Sequence, residues 1–176
     1  MSRIFLRQPA ASDRTELLAV TRASRRLHAA WVSPPRDGAT FQAFLAAARC
    51  PDNLTLLACR VADGAIAGVF HLSEIVHGAL ESARLSYYAS AQHARQGYMT
   101  EGMDLVARHA FLSLRLHRVE ASVQPANLAS IALLARCGFE YEGFSPRYLK
   151  IRHRWRDHQR WALRAEVWRR LGRAAP

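Results

Sequence analysis

Three features of the sequence predict a mixed α/β fold. A strand, a helix and a second strand follow one another at 83–90, 98–115 and 118–124, the pattern of a parallel crossover. Two β-rich runs meet at Asp63-Gly64, a dipeptide that supplies the positive φ angles of a two-residue hairpin turn. Near the end, "FEYEGFSPRYLKIRHRWRDHQRWALR" gives two more strand-like segments around a turn. Together they imply one central sheet of about seven strands, mixed in direction and flanked by helices.

The elements follow in order. "RIFLRQP" (3–9) reads as an opening strand. "ASDRTELLAVTRASRRLH" (11–28) follows as a helix that Ser12 or Asp13 can cap, with Leu17, Leu18 and Val20 on one side. "SPPRDG" interrupts with turn residues, and helical spacing returns in "ATFQAFLAAAR" through Phe41, Phe44, Leu45 and Ala48. The hairpin "NLTLLACRVADGAIAGVFHLSEIV" comes next. "SARLSYYAS" then alternates Leu85, Tyr87 and Ala89 against Ser86, Tyr88 and Ser90. It leads through a tight turn into a helix with Met99, Met103, Val106, Ala110 and Leu114 along one stripe, read with Phe111 as core. "HRVEASVQ" alternates again, and "NLASIALLARCGF" is a short helix ended by Gly138. The last two strands precede "RAEVWRRLGRAA", a C-terminal helix or tail. The order is β-α-α-β-β-β-α-β-α-β-β.

A chain of 176 residues, half of them hydrophobic, can bury one core of ordinary size, so a single domain over 1–176 is expected. No apolar run approaches the roughly 20 residues of a membrane span, and the N-terminus lacks a signal-peptide apolar region, which points to a soluble, cytoplasmic protein. Cys50, Cys59 and Cys137 lack metal-ligand spacing and are read as buried small hydrophobes, so no metal is expected. The formal charge is +11, and Lys150 is the only lysine. From Arg147 to Pro176, nine arginines and Lys150 stand against Asp157 and Glu166. That basic run is either a patch for polyanions such as CoA phosphates or ribosomal RNA, or a solvated face. A field of this sign argues against polycationic acceptors such as polyamines.

The turn before the helix at 98–115, Arg95-Gln96-Gly97-Tyr98-Met99-Thr100, has the form of a phosphate cradle. Backbone N–H groups at a helix N-terminus lack partners and together carry roughly half a positive charge. Gly97 permits the positive φ that a ring of such groups requires, and Arg95 can add a charged contact.

Three segments, "SYYASAQHARQGYMTEGM", "LHRVEASVQPANLASIALLARCGFEYEG" and "YLKIRHRWRDHQRWAL", closely resemble the GNAT superfamily of acetyl-CoA-dependent N-acetyltransferases, in particular its RimJ/RimL type. The resemblance covers Leu85 to Leu163 and rests on the combination of Gly97, Asn127 and Ser130, Gly138-Phe139, Glu142-Gly143 and Trp155-Arg156-Asp157-His158. It implies the GNAT fold, with parallel strands splayed at the CoA site, and acetyl-CoA as co-substrate. The family's pyrophosphate loop places Gly97 at its first glycine and Met99 at its second. Ala94 stands where a Gln or Arg is usual, and Arg95 where a glycine is common.

The resemblance also implies a direct transfer, in which the end of the splayed strand, at Tyr88, Ala89 and Ser90, presents backbone N–H to the thioester carbonyl. It assigns Asn127 to the CoA arm and makes Ser130 the general-acid candidate. From the residues alone, Asn127 is equally a helix N-cap and Ser130 a first-turn polar residue. The tyrosine acid of many superfamily members is Leu134 here, and the acidic residue found before the late "Tyr-Leu" is Arg147. Candidate bases are Glu120, on one strand face with Ser122 and Gln124, and Glu74, near His71 and His77. Asp157 and His158 point to opposite strand faces and form no catalytic pair; "WRDH" is read as packing Trp155 and fixing the last hairpin.

The function these readings favour is acetylation of a protein N-terminus, ribosomal proteins first. Alternatives are acetylation of a small amine such as an amino acid, antibiotic or toxin, and a non-catalytic CoA- or RNA-binding module. The basic C-terminus offers a ribosome or RNA contact, no membrane partner is expected, and the chain is read as monomer or homodimer.

Overall fold

The structure, a computed structural model, describes residues 2–172. Its seven strands form one sheet in the order β1-β2-β3-β4-β5-β7-β6. They are β1 (Ile4–Arg7), β2 (Leu54–Arg60), β3 (Ile66–Val76), β4 (Ser82–Ala89), β5 (Arg118–Val123), β6 (Glu140–Ile151) and β7 (Arg154–Arg164). The helices are α1 (Arg14–Ala23), α2 (Arg25–His28), α3 (Gly38–Ala48), α4 (Tyr98–Arg108), α5 (Leu128–Arg136) and α6 (Ala165–Arg170). The mixed sheet flanked by helices is the fold class expected, and the crossover through α4 makes β4 and β5 its one parallel pair.

That pair positions the site. Ser82 to Leu85 pair with Arg118 to Ala121, and there the ladder stops although β4 runs on to Ala89 and β5 to Val123. Beyond Leu85 the strands part and leave a V-shaped gap in the middle of the sheet.

Each face of the sheet has its own core. On one, Phe70 and Leu72 of β3 pack with Met103 and Val106 of α4, Phe111, Leu134 of α5 and Trp168 of α6. On the other, Leu57 and Val69 pack with Leu17 of α1 and with Phe41 and Leu45 of α3. Gly102 brings α4 close to the sheet, since a Cβ there would lie 2.5 Å from the Phe70 ring.

Several local expectations need correction. The helix expected over 11–28 breaks at Ser24, whose hydroxyl accepts the Ala91 N–H at 2.8 Å. Asp13 precedes α1 without capping it, because its carboxylate holds the Arg7 guanidinium at 2.6 Å and accepts the Ala10 N–H. The Asp63-Gly64 hairpin is present but longer than two residues: the strands end at Arg60 and resume at Ile66, with Gly64 at φ 74°. The helix expected over 98–115 leaves α-geometry after Arg108 for one π-turn, His109–Ser113.

Cys59 and Cys137 are buried, but Cys50 is exposed at the end of α3. Trp155 is 60% exposed rather than packed into the core, whereas Asp157 does brace the last hairpin by accepting the Arg147 N–H at a bulge where Arg147 has φ 47°. Part of the C-terminal segment is α6, anchored by the fully buried Trp168; residues 173–176 lie outside the described residues.

Candidate functional site

The parting strands form the floor of a cleft of about 930 Å³. Strand alternation sorts the side chains of β4: Tyr87 faces α5 and Tyr88 faces the α1–α3 side. The Ser90 N–H donates to Ala67 O at 2.8 Å, on the β3 side. By the same alternation the Ala89 N–H faces the gap, where the parallel neighbour β5 has parted from β4. Ala89 is therefore the backbone donor in position for an oxyanion, and the Ser90 N–H, also a candidate, is already taken.

The turn before α4 forms one wall. Arg95 and Gly97 both take positive φ, 61° and 87°, so that the chain curls around Gln96 before the helix begins. The N–H groups of Tyr98 and Met99 then stand in the first turn of α4, where no intrahelical acceptor exists. Arg3 of the segment entering β1 braces the curl: its guanidinium donates to Gln96 O at 2.9 Å, ion-pairs Glu101 and lies 4.8 Å from the Tyr98 ring centre. Met99 sits over Gly68 of β3, where a Cβ would come within 2.4 Å of its sulfur. Arg95, Gly97, Tyr98, Met99 and Thr100 line the cleft; Gln96 does not, its carbonyl being held by Arg3.

Opposite lies the N-terminus of α5. Asn127 Oδ1 accepts the Ser130 N–H at 3.2 Å, so Asn127 is the N-cap and still lines the cleft. The cap fixes Ser130 in the first turn, with Oγ 2.6 Å from the Tyr87 hydroxyl. Burial pushes the Tyr87 phenol well above its ordinary pKa, so it stays protonated and can donate to Ser130. The pair spans the gap between β4 and α5. Leu134 is fully buried in the core.

The two carboxylates read as bases lie elsewhere. Glu120 holds the Arg118 guanidinium at 2.6 Å, and Arg118 also grips Glu142. Glu74 sits at the β3 bulge with φ 52° and pairs with Arg84 at 3.1 Å. Neither lines the cleft, and among the described residues no lining side chain is acidic. Its polar lining on the α1–α3 side includes His28, His71, His158, Ser86, Ser122 and Gln124.

Burial lowers the pKa of all three imidazoles. His28 Nε2 donates to Ala89 O at 2.7 Å, which ties α2 to the end of β4. His158 Nδ1 donates to Arg156 O at 3.0 Å, leaving Nε2 unprotonated. His71 Nδ1 lies 2.7 Å from Thr55 Oγ1. Sequence reasoning passed over His28, the Tyr87 side chain and His158 as parts of the site; their partners come from distant segments, and no local spacing announces them. Alternation alone did place Tyr87 and Tyr88 on opposite faces.

Residues 3–140 match the acetyltransferase (GNAT) domain family. The probable N-acetyltransferase YjcK of Bacillus subtilis is 41% identical over 97 residues, 55% of this chain and 54% of that protein. The ribosomal protein uS5-alanine N-acetyltransferase of Escherichia coli is 36% identical over 103 residues, 58% of this chain and 53% of that protein. The chain thus spans about half the length of the curated relatives it matches. Among solved structures, Mycobacterium smegmatis RimJ in complex with CoA-disulfide superposes with a TM-score of 0.86 at 28% identity, over 97% of this chain and 88% of that one. Spermidine N-acetyltransferase from Vibrio cholerae in complex with CoA and spermine gives 0.81 at 18% identity, over 96% and 99%, a likeness of fold alone.

Proposed function

The chain belongs to the GNAT family of acetyltransferase domains, and on that premise we propose that it moves acetyl from acetyl-CoA directly to the N-terminal α-amino group of a protein, ribosomal proteins being the favoured class. The observation that carries this reading is the single cleft that joins the turn before α4, the gap between β4 and β5, and the Tyr87–Ser130 pair. The Escherichia coli relative named for acetylation of a ribosomal protein supports the choice of acceptor. The exposed arginines of β7, among them Arg154 and Arg156, support a contact with ribosomal RNA as a lesser element of the same reading.

The residues divide the work. First-turn N–H groups of α4 and the Arg95 guanidinium hold phosphate, and the Asn127 side chain steers the arm of the co-substrate along α5. The Ala89 N–H stabilises the carbonyl oxygen as the amine nitrogen bonds to the thioester carbon. As the C–S bond breaks, Ser130 Oγ–H protonates the leaving sulfur while the Tyr87 hydroxyl keeps its hydrogen bond to Ser130 Oγ, and Ser130 regains a proton from solvent water. An α-amino group with a pKa near 7.7–8.0 is already partly neutral at pH 7, so the attacking nitrogen needs only a weak acceptor for its second proton. The neutral imidazole of His71 or His158, reached through water, suffices.

The test is acetyl-CoA consumption with peptides beginning Ala, Ser and Met, run beside free amines including spermidine. Peptide-dependent CoA release, with acetyl located on the α-nitrogen by mass spectrometry, is expected. Turnover with free amines alone would overturn the acceptor assignment; CoA binding without turnover on any amine would overturn catalysis.

A further inference from the structure

The cleft continues outward past Ser33, Pro34, Pro35 and Phe44 into a second groove of about 750 Å³. Its charged side chains are Arg36, from the loop before α3, and Arg152, from the turn between β6 and β7, and His153 lies beside Arg152. Both arginines are exposed, and their guanidinium groups make no ion pair or side-chain hydrogen bond among the described residues. Among the described residues no carboxylate lines this groove or the cleft it opens from. The acidic side chains nearest in the chain are engaged: Asp37 caps α3 through the Thr40 N–H, and Asp157 is bound to the Arg147 N–H.

We propose that this groove selects acidic protein N-termini, taking Asp or Glu at the second to fourth residues behind the amine that is acetylated. The inference rests on the reading of a protein N-terminus as acceptor and deepens it. An extended chain advances about 3.3 Å per residue, so side chains just behind the amine pass out of the cleft into the groove between the loop at 33–36 and the turn at 152–153. A carboxylate arriving there meets two exposed guanidinium groups, and bidentate contact suits that pairing. A lysine or arginine at the same positions meets like charge in a groove that no acidic side chain among the described residues lines, as would the second ammonium of a polyamine. The attraction also acts before contact, by steering an acidic segment toward a positively charged mouth.

The experiment compares kcat/KM for three peptides that share an N-terminal Ala and differ only at residues two to four, carrying Glu, Gln or Lys. They are run with the wild-type chain and with an Arg36→Glu, Arg152→Glu double variant. Ratios between peptides are taken within one preparation, so any loss of active protein cancels. The expected order for the wild type is Glu, then Gln, then Lys, with about tenfold between first and last, because two exposed charge contacts are each worth only a few-fold. The order should invert in the double variant, and the wild-type preference should shrink as salt rises toward 1 M, where the screening length falls to about 3 Å. Equal kcat/KM for the three peptides, a preference for Lys, or a wild-type order that survives in the double variant would overturn the proposal. Acetylation of free amines with none of the three peptides removes the N-terminal reading itself, and this inference with it.

Discussion

Ser130 owes its place to two bonds that belong to different parts of the chain. The Asn127 carboxamide caps its N–H, and the Tyr87 hydroxyl, 43 positions earlier, meets its Oγ at 2.6 Å. The first bond is local, and the three-residue spacing of Asn127 and Ser130 made it legible as a cap. The second was not legible, because it depends on β4 and α5 meeting across the sheet. If the pair acts as described, Ser130→Ala should lower kcat by about 10- to 100-fold while the affinity for CoA is kept. Tyr87→Phe should lower kcat less and leave the KM for acetyl-CoA near its original value. Stopped-flow acetyl transfer and equilibrium CoA binding, measured together, separate these outcomes; a Ser130→Ala enzyme with unchanged kcat would end the acid assignment. The carboxylates Glu74 and Glu120 misled for the reverse reason. Strand parity places them on plausible faces, but only the fold reveals that Arg84 and Arg118 occupy them.

The turn before α4 shows how little an element's conformation depends on matching every position of a motif. Ala94 stands where the family resemblance implies a polar side chain, and Arg95 adopts φ 61°, a conformation that glycine takes at lower cost. The curl survives because Arg3 ties it to β1 from outside. Gly97 was legible as the one position that must reach positive φ, and it does so at 87°. The support from Arg3 was invisible, since it comes from residues more than ninety positions away. Gly97→Ala combines an unfavourable φ with a Cβ 2.9 Å from Arg3 Nη2. It should cost about 1–2 kcal/mol of stability and raise the KM for acetyl-CoA by roughly tenfold. Arg95→Ala should raise that KM without a change in melting temperature, and an unchanged KM would refute its phosphate contact. Thermal melts and acetyl-CoA saturation curves test both.

The molecule as a whole should be sensitive to acid in two stages. Burial lowers the pKa of His28, His71, His109 and His158 in the folded state. Above about pH 6.5 these groups are neutral folded and unfolded and contribute no pH dependence. As pH falls below that value the unfolded chain takes up protons first, so stability declines until the folded imidazoles also titrate. Asp13, Glu101 and Glu142 shift down because arginine side chains or backbone N–H groups bind them, so a second loss begins below about pH 4.5. Denaturant melts from pH 8 to 4 should show the first decline begin near 6.5; a flat profile between 7 and 5 would contradict it. At this scale the sequence was legible in the type and order of its strands, which periodicity and turn residues encode. The insertion of β7 between β5 and β6 was not, because it follows from which strand edges remain open once the parallel pair has formed. That parallel pair consists of four residue pairs, Ser82–Arg118 to Leu85–Ala121, and they are all that joins β1–β4 to β5, β7 and β6 within the sheet. In mechanical terms the sheet carries a notch that ends in a short weld, and stress applied across the halves concentrates there. Whatever occupies the notch with groups bonded to both lips acts as a rivet, and its hold adds to that of the weld.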